Sequence, residues 1–284
     1  MIAYLNGRYL DKDEVSVSPD DRGFLFADGL YEVIRSYEGR LFETMAHLDR
    51  MSYGARALRF QRTDFGFLGA VAETLIARNG LAGGDATVYL QVTRGAAPRT
   101  HRFPPRETPL TVFASARFFT PHAAEMEHGV DVILVPDLRW ARCDLKTIGL
   151  LPNVLAHQEA MDAGASEALF ERGGVLTEGT HSNVFAVFGG EAVTPPRTNA
   201  ILGGITRSVV LDLCRELEIP VREEAITVEQ ARRAEEIMIV GTTVEVTPVL
   251  RILNDSFRRT EPGPVVRRLQ AALRERVGPR SAGS

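Results

Sequence analysis

The chain has 284 residues, of which 44% are hydrophobic and 25% are charged, enough for one large or two medium globular domains. Its net charge is -4 at pH 7, and acidic and basic residues are interspersed along the chain. This pattern excludes a basic surface for nucleic acid or an anionic membrane and favours a small-molecule partner.

The N-terminus and the cysteines bear on location. Apolar character stops after five residues, which is too short for the core of a signal peptide, and no apolar run approaches the length of a membrane span. Cys143 and Cys214 lie far apart without metal-ligand spacing, which favours free thiols in a reducing compartment. We therefore expect a cytoplasmic protein.

The first part of the chain predicts strands and two helices. Asn6-Gly7 favours a hairpin turn, and residues 30–37 alternate as a strand that Glu38-Gly39 turns back. Helical spacing predicts a helix over 44–60 with Thr44 as its N-cap and a second helix with Asp64 as its N-cap. Two further strands are predicted at 86–93 and 110–117.

The second part mixes strands and helices without a βαβ alternation. The predicted strands are 130–135, 167–171, 184–188, 236–240 and 246–252, and the predicted helices begin near residues 152, 205 and 264. This pattern predicts an α+β fold of two domains with mixed sheets. We expect a smaller N-terminal α/β domain (1–118), a linker (119–128), and a C-terminal domain (129–284) with a frayed end at 279–284.

Lysine is rare in this chain. Only two of the 33 basic residues are lysines, Lys12 in a polar turn and Lys146 among apolar neighbours. Arginine cannot replace a lysine nucleophile because its guanidinium stays protonated. If the chemistry requires an amine, Lys146 must supply it; the alternative is a lysine whose stem covers a strand edge.

Three features could hold an anion such as phosphate. Gly203-Gly204 precedes the predicted helix that contains Ile205 and Thr206, and a helix N-terminus presents free N–H groups to an anion. Thr242 follows a predicted strand end, and Arg50 supplies a permanent charge. Each feature has an alternative explanation. The glycine pair could be a plain turn, Thr242 could reflect β-propensity, and Arg50 could be one of many surface arginines.

Glu178, between apolar segments, could keep a heteroaromatic nitrogen protonated, or it could be an exposed acid in a turn. Arg99 and His101 belong to a basic loop that could bind a substrate carboxylate or could simply face solvent. The chain contains no nucleophile elbow, zinc-type histidine pair, phosphate-binding Walker loop or dinucleotide glycine motif. These candidates gain weight only in combination.

In their order and spacing, several motifs resemble the fold-type IV enzymes that use pyridoxal 5'-phosphate (PLP). The motifs cover nearly the whole chain: Asp28-Gly29-Leu30-Tyr31-Glu32, His47-Leu48-Asp49-Arg50, Arg139 to Thr147, Leu176 to Gly179, Ser182 to Phe185, Ile201 to Arg207, and Thr242-Thr243.

This resemblance implies a role for each candidate residue. Lys146 would form the Schiff base with PLP, and Glu178 would pair with the pyridine nitrogen. Leu202 would pack on one face of the ring, and Tyr31 would lie beside the substrate. Arg50, Ile205, Thr206 and Thr242 would hold the phosphate, mostly from the C-terminal domain.

The Arg99/His101 loop resembles the carboxylate-binding loop of D-amino acid aminotransferases, in which it reaches the partner subunit's site in a homodimer. The resemblance thus implies transamination between a D-amino acid of the D-alanine or D-glutamate class and a 2-oxo acid such as 2-oxoglutarate. The alternatives on this scaffold are a branched-chain L-amino acid aminotransferase, an R-selective amine aminotransferase and an aminodeoxychorismate lyase. A protein that binds PLP or an oxo acid without turnover is the non-enzymatic alternative. His181 departs from the family pattern, which has a small residue there.

Overall fold

The computed structural model describes residues 1–278, so the expected frayed end lies outside the described residues. The chain divides into two compact units. The N-terminal unit contains Met1–Thr120 together with Leu145–Gly149, and the C-terminal unit contains Pro121–Asp144 and the described residues from Leu150 onward. The segment with Lys146, which we predicted in the C-terminal domain, is thus part of the N-terminal unit.

The N-terminal unit consists of a six-stranded sheet and three helices. In chain order these are β1 (Ile2–Leu5), β2 (Arg8–Asp11), α1 (Arg22–Phe26), β3 (Gly29–Tyr37), β4 (Arg40–Leu41), α2 (Thr44–Ala57), α3 (Leu68–Arg78), β5 (Ala86–Thr93) and β6 (Thr111–Phe118). The order in the sheet is β2-β1-β6-β5-β3-β4, and each pair of neighbouring strands described here is antiparallel. The expected mixed sheet is therefore wrong for this unit, because hairpins, which join antiparallel strands, connect β1 to β2 and β3 to β4.

Local turn chemistry predicted these hairpins correctly. Asn6 and Gly7 have φ angles of 49° and 89°, and Glu38 and Gly39 have φ angles of 49° and 81°. Positive φ at both central residues gives a turn whose twist matches that of the flanking strands.

The two predicted helix caps are wrong. Helix α2 begins at Thr44, and its N-cap is Glu43 in the left-handed conformation. The carboxylate of Asp64 accepts a hydrogen bond from the N–H of Gly66 at 2.9 Å, which closes a turn before α3 begins at Leu68. A short polar side chain can stabilise such a turn as well as a helix end, so the sequence pattern alone does not separate the two outcomes.

The two faces of the N-terminal sheet differ. Leu30, Ile34 and Leu90 point from one face into a core that they share with apolar residues of α2 and α3. Tyr31 and Tyr89 point from the opposite face and are only half-buried. The alternation of side chains along β3 and β5 therefore leaves one face available for function.

The C-terminal unit consists of a nine-stranded sheet with helices. In chain order its elements are α4 (Ala123–His128), β7 (Val130–Pro136), α5 (Leu151–Asp162), β8 (Glu167–Arg172), β9 (Val175–Gly179), β10 (Asn183–Phe188), β11 (Glu191–Thr194), α6 (Ile205–Glu216), β12 (Val221–Glu223), β13 (Ile226–Thr227), α7 (Val228–Arg233), β14 (Glu236–Gly241), β15 (Glu245–Ile252) and α8 (Pro264–Val277).

The order in this sheet is β12-β11-β10-β14-β15-β7-β8-β9-β13. The pairs β11/β12, β15/β7 and β7/β8 are parallel and the others are antiparallel, so the predicted mixed sheet is confirmed for this unit, as is the α+β class of the chain. The segment predicted as a linker, 119–128, contains helix α4. Within residues 1–278, each helix is too short or too polar to span a bilayer.

Candidate active site

Lys146 lies on a short segment that is docked by its backbone onto the start of β3. The N–H of Tyr31 donates to the carbonyl of Lys146 at 3.1 Å, and the N–H of Ile148 donates to the carbonyl of Gly29 at 3.1 Å. A Cβ atom on Gly29 would lie 2.7 Å from Cδ1 of Ile148 and 3.0 Å from a β5 carbonyl oxygen. Glycine at this position therefore permits the close approach of the lysine segment.

The amine of Lys146 lies over the ring of Tyr31. Its Nζ atom is 4.4 Å from the ring centroid, and both side chains are half-buried. Lys12, by contrast, is exposed in a short 3-10 turn. Of the two lysines, only Lys146 is held in a defined, partly desolvated environment, as expected for a nucleophilic amine.

Arg50, predicted as a phosphate ligand, is fixed by a buried carboxylate. Its Nε and Nη2 atoms donate to the two carboxylate oxygens of Glu32 at 2.7 and 2.6 Å. His47, one helical turn earlier on α2, lies with Nδ1 2.7 Å from the same carboxylate. The bidentate pair sets the plane of the guanidinium of Arg50, which is 8% exposed.

The electrostatics of this cluster favour an ionised Glu32. Complete burial opposes the charge of Glu32, but the charge and hydrogen bonds of Arg50, together with His47, outweigh burial and lower the pKa to about 2. Burial lowers the pKa of His47 despite the nearby Glu32, and the positive charges of Arg50 and Lys146 lower it further. The cluster therefore carries one buried negative and one positive charge, with His47 favoured in its neutral form.

Arg99 and His101 lie exposed on the loop between β5 and β6, and both contact the ring of Phe26. The guanidinium carbon of Arg99 is 5.2 Å from that ring centroid, and the imidazole of His101 packs edge-on at 5.8 Å. Arg22, which is buried, donates to the carbonyl of Thr100 at 2.8 Å. The structure thus brings the two predicted residues together and anchors the backbone between them.

Glu178 is buried at the end of β9 and accepts hydrogen bonds at both oxygens. Arg139 donates to Oε1, while the amide of Asn183 and the N–H of Leu202 donate to Oε2 at 3.0 and 2.9 Å. Glu178 and Leu202, separate in sequence, are thereby linked directly. These donors, one of which is charged, stabilise the carboxylate form of a buried acid.

Arg139 is held in turn by Asp137, whose side chain is completely buried. Two hydrogen bonds of 2.9 Å join Asp137 to Arg139, and Arg172 lies 3.0 Å from the same carboxylate. Burial opposes the charge of Asp137, but Arg139 and Arg172 outweigh it and lower its pKa. The ring of Phe170 lies 4.3 Å from the guanidinium of Arg139. These contacts hold Arg139 in the orientation in which it donates to Glu178.

Ile205 and Thr206 form the first turn of α6, as predicted. The N-cap is Gly204, and no side chain in the described part of the chain caps this end through a hydrogen bond to it. The first N–H groups of a helix have no acceptor within the helix, so this end can bind an anion. A Cβ on Gly204 would lie 2.0 Å from Oδ1 of Asn183, the residue that also holds Glu178.

Thr242 lies half-buried in the turn between β14 and β15. The Cβ position of the preceding Gly241 is 3.4 Å from the carbonyl oxygen of His181, so this turn packs against the segment after Glu178. The imidazole of His181 is directed to Glu167, with Nδ1 3.2 Å from its carboxylate, and it packs edge-on against His157. The residue that departs from the family pattern therefore has a charged partner of its own.

The sequence patterns indicate no separate role for Glu32, His47, Asp137, Arg139 or Asn183. One signal existed for Glu32, because it shares the phase of Leu30 and Ile34 and thus falls on the core face of β3. A charge on that face requires a partner. The partner comes from α2, which periodicity within β3 cannot reveal.

Residues 29–252 match the family model described as amino-transferase class IV. The D-alanine aminotransferase of Staphylococcus haemolyticus is 38% identical over 284 residues, which cover 98% of this chain and 99% of that protein. The D-alanine aminotransferase of Bacillus licheniformis is 38% identical over 281 residues, which cover 98% of this chain and 97% of that protein.

Solved structures of branched-chain aminotransferases are also similar. The enzyme from Thermoproteus uzoniensis, with norvaline, has a TM-score of 0.86 and 28% identity, covering 98% of this chain and 94% of that one. The T.th. enzyme, with pyridoxamine 5'-phosphate, has a TM-score of 0.88 and 26% identity, covering 99% of this chain and 95% of that one.

Proposed function

The chain belongs to the amino-transferase class IV family, and we propose that it transfers an amino group between a D-amino acid and a 2-oxo acid with PLP as cofactor. D-alanine and D-glutamate are the proposed class of donor, and 2-oxoglutarate is a proposed acceptor. The observation that carries the substrate assignment is the anchored loop that presents Arg99 and His101 together, in a chain similar to D-alanine aminotransferases. An exposed guanidinium and an imidazole on one anchored loop are suited to the carboxylate of an amino acid.

The residues present fit PLP. The half-buried amine of Lys146 can bind its aldehyde, and the buried Glu178 can accept from a protonated ring nitrogen. The uncapped start of α6, at Ile205 and Thr206, offers N–H donors for a phosphate. When bound, PLP supplies an electron sink for the negative charge that develops at the substrate Cα.

We propose the following roles for the other predicted residues. Arg50 and Thr242 contribute to holding the phosphate, and Leu202 packs on the ring. Glu32 supports the role of Arg50, because a bidentate pair keeps the guanidinium in one orientation.

The protein residues perform the proton transfers. Lys146, as a free amine, removes the proton from the substrate Cα, and the ammonium formed would return that proton to the cofactor carbon. Arg99 and His101 bind the substrate carboxylate, and the hydroxyl of Tyr31 donates to it. Glu178, held by Arg139 and Asn183, stays ionised while charge develops on the ring.

We propose a homodimer in which the Arg99/His101 loop reaches the partner's site. Both side chains are exposed, so they are available to a second copy. One face of α5 supports association, since Leu151, Val154 and Leu155 are 69%, 59% and 63% exposed at helical spacing. We also propose a cytoplasmic location, which the two free, buried cysteines support.

Transamination of branched-chain L-amino acids is the second candidate, favoured by the high TM-scores against branched-chain enzymes. Sequence identity favours the D-specific proposal, at 38% against 28% and 26%. The discriminating experiment is the visible spectrum of the PLP-loaded protein before and after D-alanine or L-leucine, without an acceptor. Loss of the PLP band with D-alanine alone supports the proposal. Loss with L-leucine alone supports the branched-chain activity, and no response to either points to a lyase, an amine aminotransferase or a binding protein.

Two substitutions test the residue assignments. Lys146→Ala should abolish multiple turnover, and near-normal turnover would contradict the role of Lys146. Arg99→Ala should raise KM for D-amino acids at least about tenfold, the effect of losing one charge-assisted hydrogen bond of about 1.5–3 kcal/mol. Arg106→Ala, an exposed arginine on the same loop, is the control. Equal effects of the two substitutions would remove the specific role of Arg99.

A further inference from the structure

Three aromatic rings form a row across the half-buried face of the N-terminal sheet. Tyr31 on β3 stacks against Tyr89 on β5 with ring centroids 5.8 Å apart and an interplanar angle of 29°. Phe113 on β6 lies on the far side of Tyr89, at 6.4 Å. Tyr89 lies diagonally across from Tyr31 in the strand pairing, a position from which large rings make contact. The ring of Tyr31 is thus supported from one side.

The middle ring is itself held by a hydrogen bond. The hydroxyl of Tyr89 donates to Oε1 of Gln91 at 2.6 Å, and Gln91 stands directly opposite Tyr31 in the strand pairing. Burial, together with the nearby Tyr31, raises the pKa of Tyr89 to about 12. The hydroxyl therefore keeps its proton and remains a donor to Gln91 over the ordinary working pH range.

The row ends at the amine of Lys146. Its Nζ atom lies 4.4 Å from the centroid of Tyr31, and the backbone of the lysine segment is bonded to the same strand. An ammonium is attracted by the face of an aromatic ring rather than by its edge, so the attraction depends on how the ring is oriented. The contacts of Tyr89 with Tyr31 set that orientation.

We propose that Tyr89, fixed by Gln91, is a positioning residue that orients the ring of Tyr31 as the resting place of the Lys146 amine. This inference rests on the proposed role of Lys146 and adds a second role for Tyr31. The hydroxyl of Tyr31 serves the substrate, while its ring face holds the lysine amine whenever that amine is not bonded to another group.

The test exploits the presence of only two lysines. The full chain, freed of cofactor, is treated briefly with acetic anhydride, and mass spectrometry gives the acetylation of Lys146 relative to Lys12. Because the ring of Tyr31 covers one side of the amine and holds it in place, loss of the supporting ring should increase the reaction of Lys146 with acetic anhydride. Tyr31→Leu should raise the ratio about threefold, and Tyr89→Leu should raise it about twofold.

Matched variants separate the effect of the Tyr31 ring from that of its hydroxyl, and a specific effect on Lys146 from a general loss of sheet stability. Tyr31→Phe keeps the ring and should leave the ratio unchanged, although it should raise KM for the substrate. Phe118→Leu removes an exposed ring from the same sheet and should also leave it unchanged. A normal ratio in Tyr89→Leu, beside a raised ratio in Tyr31→Leu, would overturn the role of Tyr89. Normal ratios in both would overturn the resting place itself.

A spectroscopic readout is independent of reactivity. Reductive methylation with ¹³C-formaldehyde keeps the lysine charge and should give one NMR signal for each lysine and one for the N-terminal amine, with that of Lys146 shifted upfield by the face of Tyr31. Tyr31→Phe should keep this shift, and Tyr89→Leu should lose much of it. If Tyr89→Leu does not fold, Gln91→Leu is used in its place, because it keeps both rings and removes the hydrogen bond that fixes Tyr89. A Lys146 signal at the same position as in the unsubstituted protein then overturns the proposal. No substrate is used, so failure of the D-amino acid assignment is distinguishable from failure here.

Discussion

Replacing Glu32 with glutamine should strongly destabilise the N-terminal unit. The substitution keeps the shape of the side chain but leaves the charge of Arg50 buried without its partner. A pKa lowered from the ordinary 4.5 to about 2 corresponds to about 3 kcal/mol of favourable interaction with the ionised form. Breaking a buried ion pair on one side costs about 3–5 kcal/mol. We therefore expect the free energy of unfolding at pH 7 to fall by about 3 kcal/mol.

Urea unfolding of the cofactor-free chain, followed by far-UV circular dichroism, measures this loss without a contribution from PLP binding. Asp212→Asn breaks an exposed ion pair on α6 and should cost less than about 1 kcal/mol. A loss below about 1 kcal/mol for Glu32→Gln, similar to that of the control, would refute the reasoning.

The difference in unfolding free energy between Glu32→Gln and the unsubstituted chain should also depend on pH. Because the pKa of Glu32 is lower in the folded chain than in the unfolded chain, its contribution is fully present above about 4.5. It is lost as the pH falls from there towards about 2, where folded Glu32 takes up its proton. The stability difference between Glu32→Gln and the unsubstituted chain should therefore shrink over this window. A difference that stays constant or grows there would contradict the assignment.

Three further predictions concern the C-terminal unit. Gly204→Ala should weaken PLP binding at least about tenfold, because the added Cβ would displace the amide of Asn183. Fluorescence titration with PLP measures this affinity. Gly69→Ala on α3 is the control, since its Cβ would meet nothing closer than 3.6 Å. Asp137→Asn should lower the free energy of unfolding, measured in urea at pH 7, by about 2–3 kcal/mol. Because the pKa of Asp137 is lowered in the folded chain, this stability difference should shrink as the pH falls into the acid range. Equal stability of the two proteins at pH 7 would argue against the role of Asp137. Cys214, whose pKa burial raises to about 11, should react with a thiol reagent at pH 8 only after unfolding, and rapid reaction of the native protein would contradict its burial.

Most of the long strands and helices could be predicted from local pattern, whereas short strands could not. Residues 86–93 form a strand with the predicted bounds, because alternation over eight residues is a strong signal. Strand β13 has two residues and pairs with β9, and β12 has three and pairs with β11. Such strands form because a distant partner offers hydrogen bonds, and two or three residues carry no period of their own.

The candidate site divides in the same way. The glycine pair before α6 and the isolated Lys146 carry their chemistry in local sequence, so their positions could be predicted. The docking of Lys146 onto β3 could not, because the backbone bonds join residues 29–31 to 146–148. Its consequence is that a lysine in the second half of the chain belongs to the N-terminal unit.

In both units a buried charged residue fixes the orientation of a residue of opposite charge. In the N-terminal unit the buried carboxylate of Glu32 immobilises the guanidinium of Arg50, and in the C-terminal unit the buried guanidinium of Arg139 immobilises the carboxylate of Glu178. In each case the residue with the proposed contact to PLP is already paired and oriented. A group oriented before the ligand binds loses little side-chain freedom on binding and needs no reorganisation as charge develops. Removal of the partner, Glu32 or Arg139, should therefore weaken PLP binding even though neither partner is proposed to touch PLP.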